Sequence, residues 1–147
     1  MVRIEGSITI RRPVEEVFDF VADERNEPSY NPQMTNVDKV TDGPIGKGTI
    51  WRATVVSGRR PMPMELEVTD YTRPSRLGTV ARMTTADITG SLTFSPEGMD
   101  TRMSWTWDLR PKGLLKLASP LFVAIGRRQE KAIWGSLKQR LEVEPNR

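Results

Sequence analysis

The 147-residue sequence contains neither cysteine nor histidine. Without cysteine there is no disulfide framework, no thiolate nucleophile and no thiolate metal site. Without histidine, the commonest general base and zinc ligand is missing, and so is the one side chain whose unperturbed pKa lies near neutrality. Ser-His-Asp and Cys-His catalysis, histidine-ligated zinc hydrolysis and haem on a proximal histidine are thereby excluded. Any chemistry must come from carboxylates, tyrosine, lysine, arginine or the reactivity of a bound ligand.

Long apolar runs are also lacking. The longest, Leu114 to Gly126, is interrupted by Lys116 and is shorter than the ~20 residues of a membrane-spanning helix. The opening Met1-Val2-Arg3-Ile4-Glu5 lacks the basic-then-apolar design of a signal peptide. The expectation is a soluble, cytoplasmic protein. Charge of one sign is scarce as well: 22 Lys and Arg stand against 19 Asp and Glu, for a net charge of +3. The basic residues alternate with acidic ones and form no aromatic-rich patch, so no nucleic-acid partner is expected. Arg127, Arg128 and Lys131 read as a solvated helix face rather than as a membrane contact. Nothing calls for a metal or an organic cofactor.

Apolar residues make up 37% of the chain. A chain of this length buries roughly 70% of its unfolded surface, which suffices for one core and leaves little for a second. One domain over residues 1–147 is expected.

The segment Gly43-Pro44-Ile45-Gly46-Lys47-Gly48-Thr49 has the look of a phosphate loop but fails its spacing. A strand, not a helix, should follow it, so no helix N-terminus awaits a phosphate. It reads as a turn.

Periodicity organises the rest. Residues 3–11 alternate, with Ile4, Ile8 and Ile10 on one side, as in a half-buried strand. Pro13 with Glu15 and Glu16 suits a helix start, and Val14, Val17, Phe18 and Val21 are spaced as one helical face, predicting a helix over 13–23. Residues 26–34, with Pro28 and Pro32, read as a second short, broken helical segment. Strands are predicted over 36–41, 49–57, 62–71, 76–83, 86–95 and 101–110, separated by Gly- and Pro-containing turns. A helix is predicted over 114–142, kinked or restarted at Pro120. Its second half sets Ile133, Leu137 and Leu141 against a charged face that includes Arg127, Arg128, Glu130 and Lys131. Successive hairpins with one apolar face form an antiparallel sheet, which must curl to cover that face. Only the terminal helix is long enough to cover it. A curved sheet around one helix leaves a gap lined by large apolar groups, the usual form of a small-molecule site.

The opening Ser7-Ile8-Thr9-Ile10-Arg11-Arg12-Pro13-Val14-Glu15-Glu16-Val17-Phe18-Asp19-Phe20-Val21-Ala22-Asp23 resembles that of the START-like (SRPBCC) superfamily, in its polyketide cyclase/dehydrase and lipid-transport branch. Asp42 to Thr49, Met64 to Tyr71 and Thr101 to Thr106 resemble later segments of the same branch, in the same order. The resemblance implies an α+β helix-grip fold: a curved antiparallel sheet of six to seven strands wrapped around a long C-terminal helix, with two short helices after strand 1. It also implies a hydrophobic cavity that holds a lipid, polyketide or isoprenoid-type molecule, and in some relatives a cyclisation or dehydration. Relatives often have Trp-Asn-Pro where this chain has Tyr30-Asn31-Pro32, which would set a hydroxyl at the cavity edge.

The residues expected to line such a cavity are Tyr30, Trp51, Met64, Met83, Trp105, Trp107, Leu117, Leu121 and Ile125. For Trp51 the alternation leaves both faces open, with the inward one favoured. Candidates for chemistry are Tyr30, Asp87, Arg52 and Arg82, but alternation turns Asp87 and Arg82 toward solvent, and Glu65 and Glu67 share that outer face. Binding of a hydrophobic small molecule by a monomer or homodimer is the leading expectation. A metal-free cyclase or dehydratase acting on a β-polyketone is the alternative.

Overall fold

The computed structural model describes residues 2–57, 60–113 and 119–143. Strand β1 (Val2–Ile10) leads into helix α1 (Val14–Ala22) and a 3-10 helix (Glu24–Ser29). Strands β2 (Met34–Lys39), β3 (Ile50–Ser57), β4 (Arg60–Thr72), β5 (Arg76–Met83), β6 (Ala86–Glu97) and β7 (Asp100–Pro111) follow, and helix α2 (Ser119–Glu142) comes last. The seven strands form one sheet in the order β1-β7-β6-β5-β4-β3-β2. Every neighbouring pair is antiparallel.

These elements match the predicted order, with shifts at their ends. Pro13 stands just before α1, as its N-cap, rather than inside it. Strand β2 starts at Met34, two residues before the predicted 36, because Met34 is buried and pairs with Val55. Its register then slips between Thr35 and Asp38, where Asn36 takes a φ of +54°; asparagine tolerates that conformation better than most residues. The predicted start of the last helix, 114–118, lies outside the described residues. Pro120 is the second residue of α2, which begins at Ser119.

The inner face is built by alternation. Met103, Trp105 and Leu109 on β7 point inward with Met64, Leu66 and Val68 on β4, and Trp51 on β3 is 1% exposed. On the outer face Arg82 bridges Glu65 and Glu67 at 3.4 and 3.2 Å. Asp87 pairs with Lys112 at 3.0 Å. The Gly43–Thr49 segment is a turn closed by Thr49 N–H donating to the Gly46 carbonyl at 3.1 Å.

Helix α2 is fixed to the end of β1. Lys138 Nζ donates to the Thr9 carbonyl at 2.8 Å, and the Glu142 carboxylate accepts from the Arg11 N–H at 2.8 Å. Arg12 Nε donates to the Leu141 carbonyl at 2.8 Å, placing a cation at the negative end of the helix. Farther up, Gly126 lets α2 approach the sheet closely: a Cβ there would lie 2.6 Å from Ile4 Cδ1.

A second close approach holds the core together. The Trp105 ring lies across Gly6, its partner on β1, so that a Cβ on Gly6 would meet Cζ2 at 2.4 Å. Gly6→Ala is expected to cost about 1–3 kcal/mol by overpacking. Denaturant unfolding would show this as a lower midpoint at unchanged slope, and an unchanged midpoint would place the ring elsewhere.

Candidate functional site

Between α2 and the inner face of the sheet lies a cavity of about 280 Å³. That is near the lower end of the ~300–1,000 Å³ typical of small-molecule sites. Its sheet wall is largely apolar: Met62, Met64 and Leu66 from β4, Leu77, Ala81 and Met83 from β5, Ala86, Ile88 and Leu92 from β6, with Thr79 of β5 as a polar member. Three methionines on adjoining strands make that wall adaptable in shape. The helix supplies Ile125, Ile133 and Trp134, and β7 supplies Trp107. Ile125 is 48% exposed and marks the open side.

The rest of the lining mixes apolar side chains, among them Val21, Met34 and Val55, with polar and acidic ones. Glu24 and Glu27 come from the 3-10 helix, Glu130 from α2, and Asn31 and Gln33 from the link into β2. Asn31 Nδ2 donates to Glu27 Oε2 at 2.8 Å, and Trp134 Nε1 donates to Glu130 Oε1 at 3.1 Å. The Trp107 indole N–H faces the Glu130 carboxylate and favours its charged form, yet makes no hydrogen bond of its own. Glu24 is only 7% exposed, and no N–H or hydroxyl donates to its Oε2, so the carboxyl is placed to pair with Glu27 when protonated. Asp23 is separate from this group, held by Arg25 at 2.8 Å.

Burial changes these groups. Desolvation raises the Glu24 carboxyl well above its ordinary range, and Glu27 adds to the rise by like charge and by hydrogen bonding. Desolvation likewise lifts Glu130 to about 7, against the opposing pull of the two indole N–H groups. The Tyr30 phenol is also raised, by burial first and then by the surrounding carboxylates. A carboxyl that titrates near neutrality in an apolar wall can donate or accept a proton there.

This arrangement has a consequence for stability. An acid whose pKa is raised by folding favours the folded state while it is protonated. Between about pH 4.5 and 7 the folded chain therefore holds more protons at Glu130 than the unfolded chain, so stability falls as pH rises through that window and then levels off. The amplitude is on the order of 2 kcal/mol, set below the full linkage value because Glu130 is partly exposed. Urea unfolding at pH 5 and pH 8 is expected to show the fall in the wild type and a flatter profile in Glu130→Gln. Parallel profiles would contradict the burial of this carboxyl.

The sequence model of the family described as polyketide cyclase/dehydrase and lipid transport matches residues 1–142. The chain belongs to this family. Its fold is that of the wider START-like superfamily. It is similar to a START superfamily protein from Mycobacterium smegmatis, with a TM-score of 0.84 at 14% identity over 95% of this chain and 97% of that one. It is also similar to the protein TTHA0849 from Thermus thermophilus, with a TM-score of 0.80 at 17% identity over 99% and 100%. A third similar structure is the Zhui aromatase/cyclase from Streptomyces sp. R1128, with a TM-score of 0.78 at 14% identity over 96% and 93%. No curated protein matches the chain in sequence.

Of the residues singled out for this family member's cavity, Met64, Met83, Trp107 and Ile125 line it. Tyr30 and Trp105 stand one layer behind, each with its ring centroid 6.0 Å from that of Trp134, which does line it. The Tyr30 side chain is therefore core, 3% exposed, rather than a hydroxyl at the cavity edge. Trp51 points inward but packs beside the cavity, with the Arg25 guanidinium over its ring at 5.7 Å. Leu117 and the side chain of Leu121 lie outside the described residues. Sequence reasoning does not find the acidic wall, and it places Glu130 on the charged face of the helix. The signal that could have found it is spacing: Glu130 stands four residues before Trp134 and seven before Leu137, on the buried stripe. Glu24 likewise continues the Val17-Val21 stripe of α1.

Proposed function

We propose that this chain binds a hydrophobic or amphipathic small molecule, of lipid, polyketide or isoprenoid class, in the cavity between α2 and the sheet. The observation that carries this reading is the largely apolar wall of β4, β5 and β6, broken at Thr79, that lines the cavity opposite α2. Loss of apolar surface from water drives such binding, and the few polar groups at the acidic end orient the ligand. Membership of a family described by lipid transport supports it. Titration with the neutral apolar fluorophore N-phenyl-1-naphthylamine tests it. Saturable binding at one site, accompanied by a change in tryptophan emission from Trp107 and Trp134, is the expected result. A linear, non-saturating response would count against it.

A second reading has its own observation. Glu130, titrating near 7 in the cavity wall, is placed to exchange a proton with a bound β-polyketone, as cyclisation or dehydration requires. Similarity of fold to an aromatase/cyclase supports this reading. It expects turnover of a β-triketone with a pH inflection near 7 that Glu130→Gln removes.

A further inference from the structure

One polar side chain interrupts the apolar strands that wall the cavity. Thr79 on β5 stands between Leu77 and Ala81 on the inward face, lines the cavity with them, and is 7% exposed. Valine and threonine suit a buried strand alike, both being β-branched, so the sheet itself does not call for a hydroxyl here. What a hydroxyl costs in an apolar wall depends on whether it finds a hydrogen-bond partner.

The Thr79 hydroxyl finds none among the described residues. By contrast, Thr85 of the same lining donates to Met62 Sδ at 3.6 Å, and Asn31 donates to Glu27 at 2.8 Å. Unlike Glu24 Oε2 and Trp51 Nε1, which are sealed from solvent, the Thr79 oxygen keeps accessible surface. The residue opposite on β6 is Gly90, which has no side chain to lay over it. The Trp107 ring packs against that glycine, where a Cβ would meet Cε3 at 2.8 Å. Along the strands, Leu77 and Leu92 flank the hydroxyl on one side, and Ala81 and Ile88 on the other. An unpartnered hydroxyl on a residue more than nine-tenths buried therefore opens onto the cavity, with hydrocarbon to either side.

The chemistry of a matching ligand follows from this setting. A purely hydrocarbon ligand would strip the hydroxyl of water and return nothing, which lowers affinity. A charged head group would give up its hydration for a single neutral hydroxyl among apolar carbons. A neutral ketone or hydroxyl oxygen accepts from the Thr79 O–H, while the hydrocarbon on both sides of it meets the flanking leucines, alanine and isoleucine. We propose that Thr79 is a hydrogen-bond anchor of the cavity, selecting hydrophobic ligands that carry a neutral oxygen within their hydrocarbon frame. This rests on the reading of the cavity as a hydrophobic-ligand site.

The test compares benzophenone with diphenylmethane, which share two rings and differ in the carbonyl or methylene that joins them. Affinities are read by displacement of N-phenyl-1-naphthylamine from the wild type, Thr79→Val and Thr79→Ser, with the Kd of the fluorophore measured for each. Comparing the ketone-to-hydrocarbon ratio between variants cancels the difference in transfer of the two compounds from water. Thr79→Val is expected to lower that ratio about three- to tenfold, the worth of one neutral hydrogen bond, and Thr79→Ser to keep it. The melting temperature of Thr79→Val should hold or rise, because the lost hydroxyl has no partner in the fold. A fall of several degrees would mean that it has one, and overturns the anchor. A ratio unchanged in Thr79→Val, or lowered equally in Thr79→Ser, also overturns the anchor and leaves the apolar site standing. Failure of the fluorophore and of both compounds to bind the wild type overturns the site itself.

Discussion

Trp105→Ala is expected to destabilise the protein by about 3–5 kcal/mol, the usual range for removing a fully buried tryptophan. At this chain length the melting temperature should fall by roughly 10–15 °C. Trp105 is 3% exposed, lies across Gly6 on β1, and supports Trp134 from behind. Its loss leaves a void where β1, β7 and α2 meet, and those elements cannot close it without breaking the α2–β1 contacts at Lys138, Glu142 and Arg12. Because Trp134 lines the cavity, affinity for the apolar fluorophore should fall as well. An unchanged melting temperature would mean that the ring is not part of the core.

The second large effect is opposite in kind. Ala81 on β5 is buried, lines the cavity, and stands between Leu66 on β4 and Ile88 on β6. Ala81→Phe sends a ring into the empty space rather than into packed atoms. Affinity for octan-1-ol is expected to drop more than about 100-fold, a loss of about 3 kcal/mol. Stability should be kept or raised, because filling a void restores dispersion contacts. The pair of variants separates core from cavity: Trp105→Ala weakens the fold, whereas Ala81→Phe removes the site and spares the fold. Ala81→Phe that unfolds the protein with no earlier loss of binding would mean that the space beside Ala81 is already filled.

The fold could be read from the sequence because it rests on alternation and on turn chemistry, both local. Met62 to Val68 and Met103 to Leu109 alternate without interruption, and each forms a strand with the expected face inward. Element ends are less legible, since they depend on partners distant in the chain: Met34 joins β2 only because Val55 lies opposite. The cavity is legible in kind but only partly in detail. Apolar side chains of one face divide into those that touch the void and those that back it, and sequence spacing does not distinguish the two. Met64 and Trp105 have the same inward pattern, yet one lines the cavity and the other supports its wall. The acidic end escapes a sequence reading for a different reason. Glu130 follows Arg127 and Arg128 and precedes Lys131, so local charge suggests a solvated face. Only its phase with Trp134 and Leu137 shows that it turns inward. A charged residue in register with an apolar stripe is the signal that finds such a site.

The central claim, that the space under α2 holds a hydrophobic small molecule, is tested most directly by native mass spectrometry of the freshly purified protein, followed by denaturation and identification of what is released. The expected result is a mass above that of the bare chain, lost on denaturation, with release of a small lipophile at near-stoichiometric occupancy. A protein that flies empty, and that also fails to bind N-phenyl-1-naphthylamine in solution, would contradict a ligand-binding cavity and leave only the fold.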